Sequence, residues 1–266
     1  MIQRILVIAG SDSSAGAGLQ ADIKTAMAFG VYAQTAVTAV TAQTTRGVRA
    51  VQCLTPEIVR GQIEAALEDI GADAIKLGML GNGPIAAAVA DVLENVRLPL
   101  VADPVLLSSS GAVLLDGEGI EILKQRLLSR ATLLTPNLPE VEALIGISAA
   151  SDHGIRNASQ AFAMLGCQNI LFKGGHGDGP TVRDVLVEGG ARTVFESPRQ
   201  QTRHTHGTGC TLATAVVCGL AQGLDLKEAV ARGHGYVQQA IRAAQGLGSG
   251  QGPLHHGTSL NFGSGE

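Results

Sequence analysis

The chain contains no tryptophan, and aromatic residues make up only 3% of its 266 positions. A core without large rings has to be filled by Ala, Val, Leu and Ile, which the 45% hydrophobic content supplies. No stretch approaches the roughly 18 uninterrupted apolar residues of a membrane helix. The opening MIQRILVIAGSD lacks a charged leader ahead of a long apolar segment, so it does not read as a signal peptide. Basic runs are absent and the net charge is −4, which leaves no electrostatic footprint for nucleic acid. The four cysteines (Cys53, Cys167, Cys210, Cys218) form no CxxC pair and there is no HExxH, so neither a structural zinc site nor a disulfide framework is expected. Missing too are a GxxxxGK[ST] phosphate loop and a GxGxxG dinucleotide fingerprint. A globular cytoplasmic protein is the expectation that remains.

What the chain has is glycine, at 35 positions, together with a regular alternation of short apolar runs and helical patterns. RILVIA (Arg4 to Ala9) reads as a buried parallel strand. Leu19 to Phe29 is helical with Gly30 as its stop, and Thr35 to Gln43 is a β-branched strand running into a TTRG loop. Thr55 and Pro56 open a helix as N-cap and first helical residue. AIKLGML, PLVADPV, LLTPN, NILFKGG and DVLV are further strands. Pro84 to Asn95, LPEVEALIG, Thr211 to Gln222 and Leu226 to Ala244 are helices. The pattern predicts parallel βαβ units in one three-layer α/β domain spanning residues 1–266. SDHGIRNASQ reads as an interior loop, and 247–266 as a mobile glycine-rich tail whose His255 and His256 are solvated.

Six polar or glycine-rich clusters follow directly on apolar strands: Ser11-Asp12, Gln43-Thr44, Gly78-Met79, Asp103-Pro104, Thr135-Asn137 and Lys173-Gly175. Ligands of open parallel sheets bind beyond the strand carboxyl ends, so these clusters outline a site. The blander reading is that every strand must end in something polar.

THGTGC carries the sharpest chemistry. A helix N-terminus offers unpaired amides and a positive dipole end, and Gly207 and Gly209, on either side of Thr208, would let those amides approach an anion closely. Thr205 opens the same stretch. Cys210 at such a helix start is expected to have a lowered thiol pKa, which makes it a candidate base or nucleophile; otherwise it is a small buried hydrophobe like Cys218. Asn137 and Glu140 in TPNLPE could hold a hydrated Mg2+ beside phosphates, or could simply cap a helix. Lys173 in KGGH could sit over phosphoryl oxygens, or be a surface lysine. Asp103 is either a metal-side carboxylate or a turn former before Pro104. In GSDSSAGAGLQAD with Gln43, the glycine-rich turn, Asp22 and the amide of Gln43 could hydrogen-bond a small planar polar ligand such as an aminopyrimidine.

The segments IAGSDSSAGAGLQADIKT, VTAQTTRGV, IKLGML, TPNLPE, KGGH and THGTGCTLATA occur in this order across nearly the whole chain. Together they resemble the hydroxymethylpyrimidine/phosphomethylpyrimidine kinases of thiamine biosynthesis, within the ribokinase-like superfamily. The resemblance implies a three-layer ribokinase-like fold, with a mostly parallel sheet flanked by helices. It also implies use of ATP and Mg2+, a homodimer, and phosphoryl transfer to the hydroxymethyl group of the pyrimidine and then to the monophosphate. It places Gln43 at the pyrimidine edge with Gly10, Ala17, Asp22, Met79 and Val105 around the ring. Gly207 to Cys210 become the anion hole, Cys210 the group that takes the acceptor proton, and Lys173 the cation on the γ-phosphate. Asp103, Asn137, Glu140 and Thr205 fall on the nucleotide and metal side. The chain departs from the family in having DSSAGAG for DPSGGAG, Thr44 after the glutamine, and His204 where Asn is frequent, so the first loop is expected to differ in shape. Three rival readings are a pyridoxal kinase of the same superfamily, a non-catalytic pyrimidine-binding protein, and a Rossmann-type oxidoreductase. The missing fingerprint argues against the last.

Overall fold

The computed structural model describes residues 1–108, 111–175 and 179–259; His176 of KGGH and the tail beyond Ser259 lie outside them. Strand β1 (Arg4–Asp12) buries residues to both sides, Ile5 and Val7 into one core and Leu6 and Ile8 into another. That two-faced burial marks a strand with helices above and below. The neighbours of β1 are β2 (Tyr32–Thr44) and β4 (Ala74–Leu77), both parallel to it. Strands β5 (Leu100–Ala102), β6 (Leu133–Leu134) and β7 (Asn169–Phe172) extend the parallel run. Antiparallel β3 (Gly47–Cys53), β8 (Thr181–Glu188) and β9 (Ala191–Pro198) complete one sheet in the order β3-β2-β1-β4-β5-β6-β7-β8-β9.

Helices α1 (Gly18–Ala28), α7 (Thr208–Ala221) and α8 (Leu226–Arg242) form the layer on one face. The other layer holds α2 (Pro56–Glu68), α3 (Gly83–Leu93), α4 (Gly117–Ile122), α5 (Leu138–Ile145) and α6 (Asp152–Met164). Their starts follow local chemistry. Thr55 accepts from the Ile58 N–H with Pro56 at the first helical position, and Asn82 accepts from the Ile85 N–H at 3.0 Å. Among the described residues, no helix is long and apolar enough to cross a membrane.

Three expectations are corrected. SDHGIRNASQ is not a loop: Ser151 Oγ accepts from the Gly154 N–H at 3.1 Å, and Ile155, Ala158 and Phe162 bury one side of α6. The polar residues that suggest a loop are the solvent face of an amphipathic helix. Strands β3 and β9 were not expected, because both lie at sheet edges, where little burial marks the sequence.

The tail is the third correction, as far as it is described. The His206 N–H donates to Gly252 O at 3.1 Å and the Gln251 N–H to Thr45 O at 2.8 Å. His256 is buried, bonded to Thr211 Oγ1 at 2.9 Å, and its carbonyl accepts from the Tyr236 hydroxyl at 2.7 Å. Residues 246–259 therefore strap the β2–β3 turn to the loop before α7.

Candidate active site

The six parallel strands all end on one edge, where the order switches direction between β1 and β4. Ser11, Asp12, Gln43, Met79, Asp103, Asn137, Lys173 and Gly175 lie at those ends and line a single cavity of about 1160 Å3. All six strand-end clusters thus contribute to one site, as the switch-point rule requires.

One end of the cavity is built for an anion. Helix α7 starts after Gly207, whose φ of +88° is open to glycine at little steric cost. A Cβ on Gly207 would also fall against the carbonyl of Gly16, which leaves no room for a side chain. A Cβ on Gly209 would lie 3.2 Å from Lys173 Nζ and 3.6 Å from Asp103 Oδ2, so the first turn of α7 faces both charges directly. Lys173 Nζ is 2.7 Å from Asp103 Oδ1 and 3.9 Å from Glu140 Oε2. Asp103 Oδ1 also accepts from the Thr135 hydroxyl at 3.0 Å. Burial works against the Lys173 charge, but Asp103 and Glu140 outweigh it and raise its pKa. Burial also opposes the Asp103 carboxylate, yet Lys173 and Lys76 hold its pKa below the ordinary value. Glu140 is pushed up to about 7, first by burial and then by Asp103, with Lys173 opposing.

Asn137 and Glu140 form a reciprocal cap on α5: Glu140 N–H to Asn137 Oδ1 at 2.8 Å and Asn137 N–H to Glu140 Oε2 at 2.7 Å. The bland reading of TPNLPE, a helix cap, is thus present, and it uses one bond of the Asn137 side-chain oxygen. The donor set for a hard cation is the carboxyl oxygens of Asp103 and Glu140, beside the ammonium of Lys173. Oxygen donors suit Mg2+. Among the described residues, no three His, Cys, Asp or Glu side chains are placed to hold a metal alone. A cation here would complete its shell with phosphate oxygens and water.

The other end suits a planar ring. The Gln43 backbone is locked by Ser13, whose Oγ accepts from Gln43 N–H at 2.8 Å and donates to Gln43 O at 2.9 Å. Its side-chain amide lies 3.3 Å from Thr41 Oγ1 and 3.2 Å from His206 Nε2. Gly10 lets Met79 close one wall, since a Cβ there would fall 2.7 Å from the Met79 sulfur. Ala17 and Val105 line the same space, and Thr205 and Thr208 line the side of α7.

Two expectations about this site change. Asp22 does not line the cavity: it is fully buried behind it, with both carboxylate oxygens on Lys76 Nζ at 3.0 and 3.2 Å and Oδ1 accepting from Thr214 at 2.6 Å. Cys210 does line the cavity, unlike the buried Cys218, but its thiol is raised to about 11 rather than lowered. Burial is the largest cause; Lys76 and a hydrogen bond from the Gly18 backbone pull the other way, while Asp22 and Asp103 add to the rise. The helix N-terminus alone does not set the thiol.

The roles of other residues were missed. Asp12, named from sequence only within a strand-end cluster, is the hub of the first loop. It accepts from the backbone N–H groups of Ser14, Gly16 and Ala17 at 2.8, 3.1 and 2.9 Å, and its Oδ2 lies 2.8 Å from His206 Nε2. These bonds outweigh burial and lower its pKa to about 2. Asp184 accepts from the Gly174 N–H at 2.8 Å and so fixes the chain just after Lys173. Lys76 stands as a lone charge in an apolar strand, a signal visible in AIKL. Ala15 adopts a φ of +58°, in the left-handed region that favours glycine. The loop keeps a glycine-like backbone with an alanine in it. His204 does not line the cavity.

The sequence description of the phosphomethylpyrimidine kinase family matches residues 12–255. The hydroxymethylpyrimidine/phosphomethylpyrimidine kinase of Streptomyces coelicolor is 44% identical over 256 residues, covering 96% of this chain and 95% of that protein. The thiamine biosynthesis bifunctional protein ThiED of Geobacter sulfurreducens is 44% identical over 253 residues, but this chain spans only 52% of its length. Among solved structures, pyridoxal kinase from Staphylococcus aureus with AMP-PCP and pyridoxal superposes with a TM-score of 0.89 at 33% identity, covering 98% of this chain and 96% of that one. Phosphomethylpyrimidine kinase from Clostridium difficile gives 0.79 at 39% identity, covering 90% of this chain and 99% of that one. On the length of the match and the identity of these relatives, the chain belongs to the phosphomethylpyrimidine kinase family.

Proposed function

We propose that the protein is an ATP-dependent kinase. It phosphorylates 4-amino-5-hydroxymethyl-2-methylpyrimidine to its monophosphate and then to the diphosphate, in thiamine biosynthesis. The observation that carries this reading is the meeting of the α7 N-terminus, Lys173 and Cys210 in one cavity with Gln43, on a chain of this family. The pyrimidine lies against Gln43, Met79, Ala17, Gly10 and Val105, with its hydroxymethyl group toward Cys210. The amides of Gly207 to Cys210 and the ammonium of Lys173 hold the transferring phosphoryl group, where positioning and charge neutralisation do most of the work. Mg2+ supplies further charge neutralisation on the phosphates when bound, and Asp103 and Glu140 are the residues that would hold it, with Asn137 fixing Glu140 through the cap.

Cys210 takes the proton of the hydroxymethyl group. With its thiol near 11, only about one molecule in 10^4 carries the thiolate at pH 7. The first transfer is therefore expected to quicken as pH rises. The second acceptor is already an anion, so it leans on Lys173 more than on a base. By family resemblance the enzyme is a cytoplasmic homodimer of one domain per chain, and light scattering after size exclusion checks the dimer.

A pyridoxal kinase is the second reading, favoured by the higher TM-score to that enzyme. Identity favours the pyrimidine kinase, and side chains rather than overall shape select the ring. Phosphorus NMR of the protein with ATP, Mg2+ and hydroxymethylpyrimidine separates the two. A monophosphate resonance giving way to a diphosphate supports the first reading. Rapid consumption of pyridoxal with none of the pyrimidine would replace it with the second.

A further inference from the structure

The buried ion pair behind the cavity has no part in the scheme above. Along β4 the side chains alternate: Ile75 and Leu77 enter the α2/α3 core, while Ala74 enters the α1/α7 core. Lys76 shares the parity of Ala74 and so points toward α1 and α7. There it meets Asp22 of α1 at 3.0 and 3.2 Å, and Asp22 in turn accepts from Thr214 of α7 at 2.6 Å. All three are fully buried. Thr214 lies one helical turn beyond Cys210, on the same face of α7. Lys76 and Cys210 line the same cavity, and Nζ lies against the end of β4, where a Cβ on Gly78 would fall 2.8 Å from it. A buried charge pair is costly to assemble and is seldom the most stable way to fill a core. This one sits where a thiolate has to form.

We propose that Lys76, held in place by Asp22 and Thr214, is a positioning residue for Cys210, supplying the fixed positive charge against which the thiolate forms. The proposal rests on the reading of Cys210 as the proton acceptor. In the first transfer the Cys210 thiol first gives its proton to solvent, and the hydroxymethyl oxygen then gives its proton to the resulting thiolate as it bonds to the γ-phosphorus. The bond from phosphorus to the bridging oxygen breaks and ADP leaves. Lys76 keeps its proton throughout: burial opposes its charge, but Asp22, then Cys210 and Asp103, raise its pKa above the ordinary lysine value. The charged groups that face the sulfur from the elements packed on it are Lys76 on β4, Asp22 on α1 and Asp103 beyond β5, with Lys173 beyond β7. Of these, Lys76 favours the thiolate most, and Asp22 opposes it.

Opposite signs give the test its discrimination. The rate of Cys210 alkylation by iodoacetamide is followed against pH by peptide mass mapping, with no nucleotide or pyrimidine present. At pH 8.5, Lys76→Met slows alkylation at least tenfold, Asp22→Asn speeds it at least threefold, and Lys76→Arg stays within threefold of wild type. Lys76→Met leaves Asp22 unpaired in the core, so the double variant D22N/K76M, with the same total charge as wild type, provides the check; it too is slower than wild type. Rates unchanged in every variant, or moved the same way by K76M and D22N as general loosening would move them, overturn the proposal. The reading of Cys210 is tested separately by Cys210→Ala. Full activity of that variant on hydroxymethylpyrimidine removes the base role, whatever the alkylation rates show. Loss of activity without the opposed rates removes the role of Lys76 alone.

Discussion

Replacing Asp12 by Asn probes the loop that shapes the ring end of the cavity. Folding moves the Asp12 carboxyl from its ordinary 3.8 down to about 2, which stabilises the native protein by about 2 kcal/mol at neutral pH. A depressed carboxyl contributes this fully above pH 3.8 and loses it as pH falls through 2. Asparagine fills the same space, but it carries no charge for His206 and turns either an N–H2 or a single oxygen toward the donors of Ser14, Gly16 and Ala17. The variant should unfold in urea with about 2 kcal/mol less stability at pH 7, or melt about 4 °C lower for a chain of this size. The gap should shrink to about half by pH 3, because there the wild-type carboxyl has lost much of its advantage. His206 also touches Gln43, so KM for the pyrimidine should rise more than kcat falls. A variant within about 0.5 kcal/mol of wild type at pH 7 would refute the reasoning. So would a deficit that is the same at pH 3, since that would be packing rather than charge.

Gly209→Ala should leave the melting temperature level or slightly higher, since alanine favours a helix by up to about 1 kcal/mol. It should nonetheless cut kcat at least tenfold, because its Cβ would stand 3.2 Å from Lys173 Nζ; steady-state kinetics and calorimetry on one preparation decide. Glu140→Gln should stabilise the Mg2+-free protein at pH 8 and change little at pH 5. A carboxyl raised to about 7 contributes stability below its unfolded 4.5 and loses it as pH climbs through 7, a swing of about 3 kcal/mol readable in urea titrations. His256 has the opposite sign. Held neutral with its pKa near 4, chiefly by burial, it favours folding above pH 6.5 and loses up to about 3 kcal/mol as pH falls toward 4, a slope that His256→Gln should flatten. The two trends oppose each other, so only differences between variant and wild type reveal them. Ala15→Gly should raise stability by up to about 1 kcal/mol, as the residue already holds a φ of +58°; a loss would show that the loop relies on the methyl group.

The strand ends were legible because a parallel strand writes itself as an apolar run and stops in a loop residue. Once six such stops share an edge, their convergence follows from topology alone. The anion end was legible for a similar reason, since THGTGC states both the helix start and the close approach. Asp22 and Lys76 were not paired in advance: they are 54 residues apart, and an acid beside a glycine-rich turn reads as a ligand contact until the strand that pairs with it is in place. Asp12 and His206, 194 residues apart, are hidden in the same way. The Cys210 thiol was read in the wrong direction because the sequence announces the helix dipole but not the burial that α1 and β4 impose. SDHGIRNASQ misled by its polar face, although Ile155, Ala158 and Phe162 carry the helical period.

The strap formed by residues 246–259 has a consequence for how the molecule comes into being. Synthesis runs from the N-terminus, so all nine strands and α7 leave the ribosome before Gln251 and Gly252 can reach Thr45 and His206. A nascent chain can build its sheet while the loop ahead of Gly207 is still without its anchor. The last anchors of that loop, and of the β2–β3 turn, are therefore set only when this late segment docks.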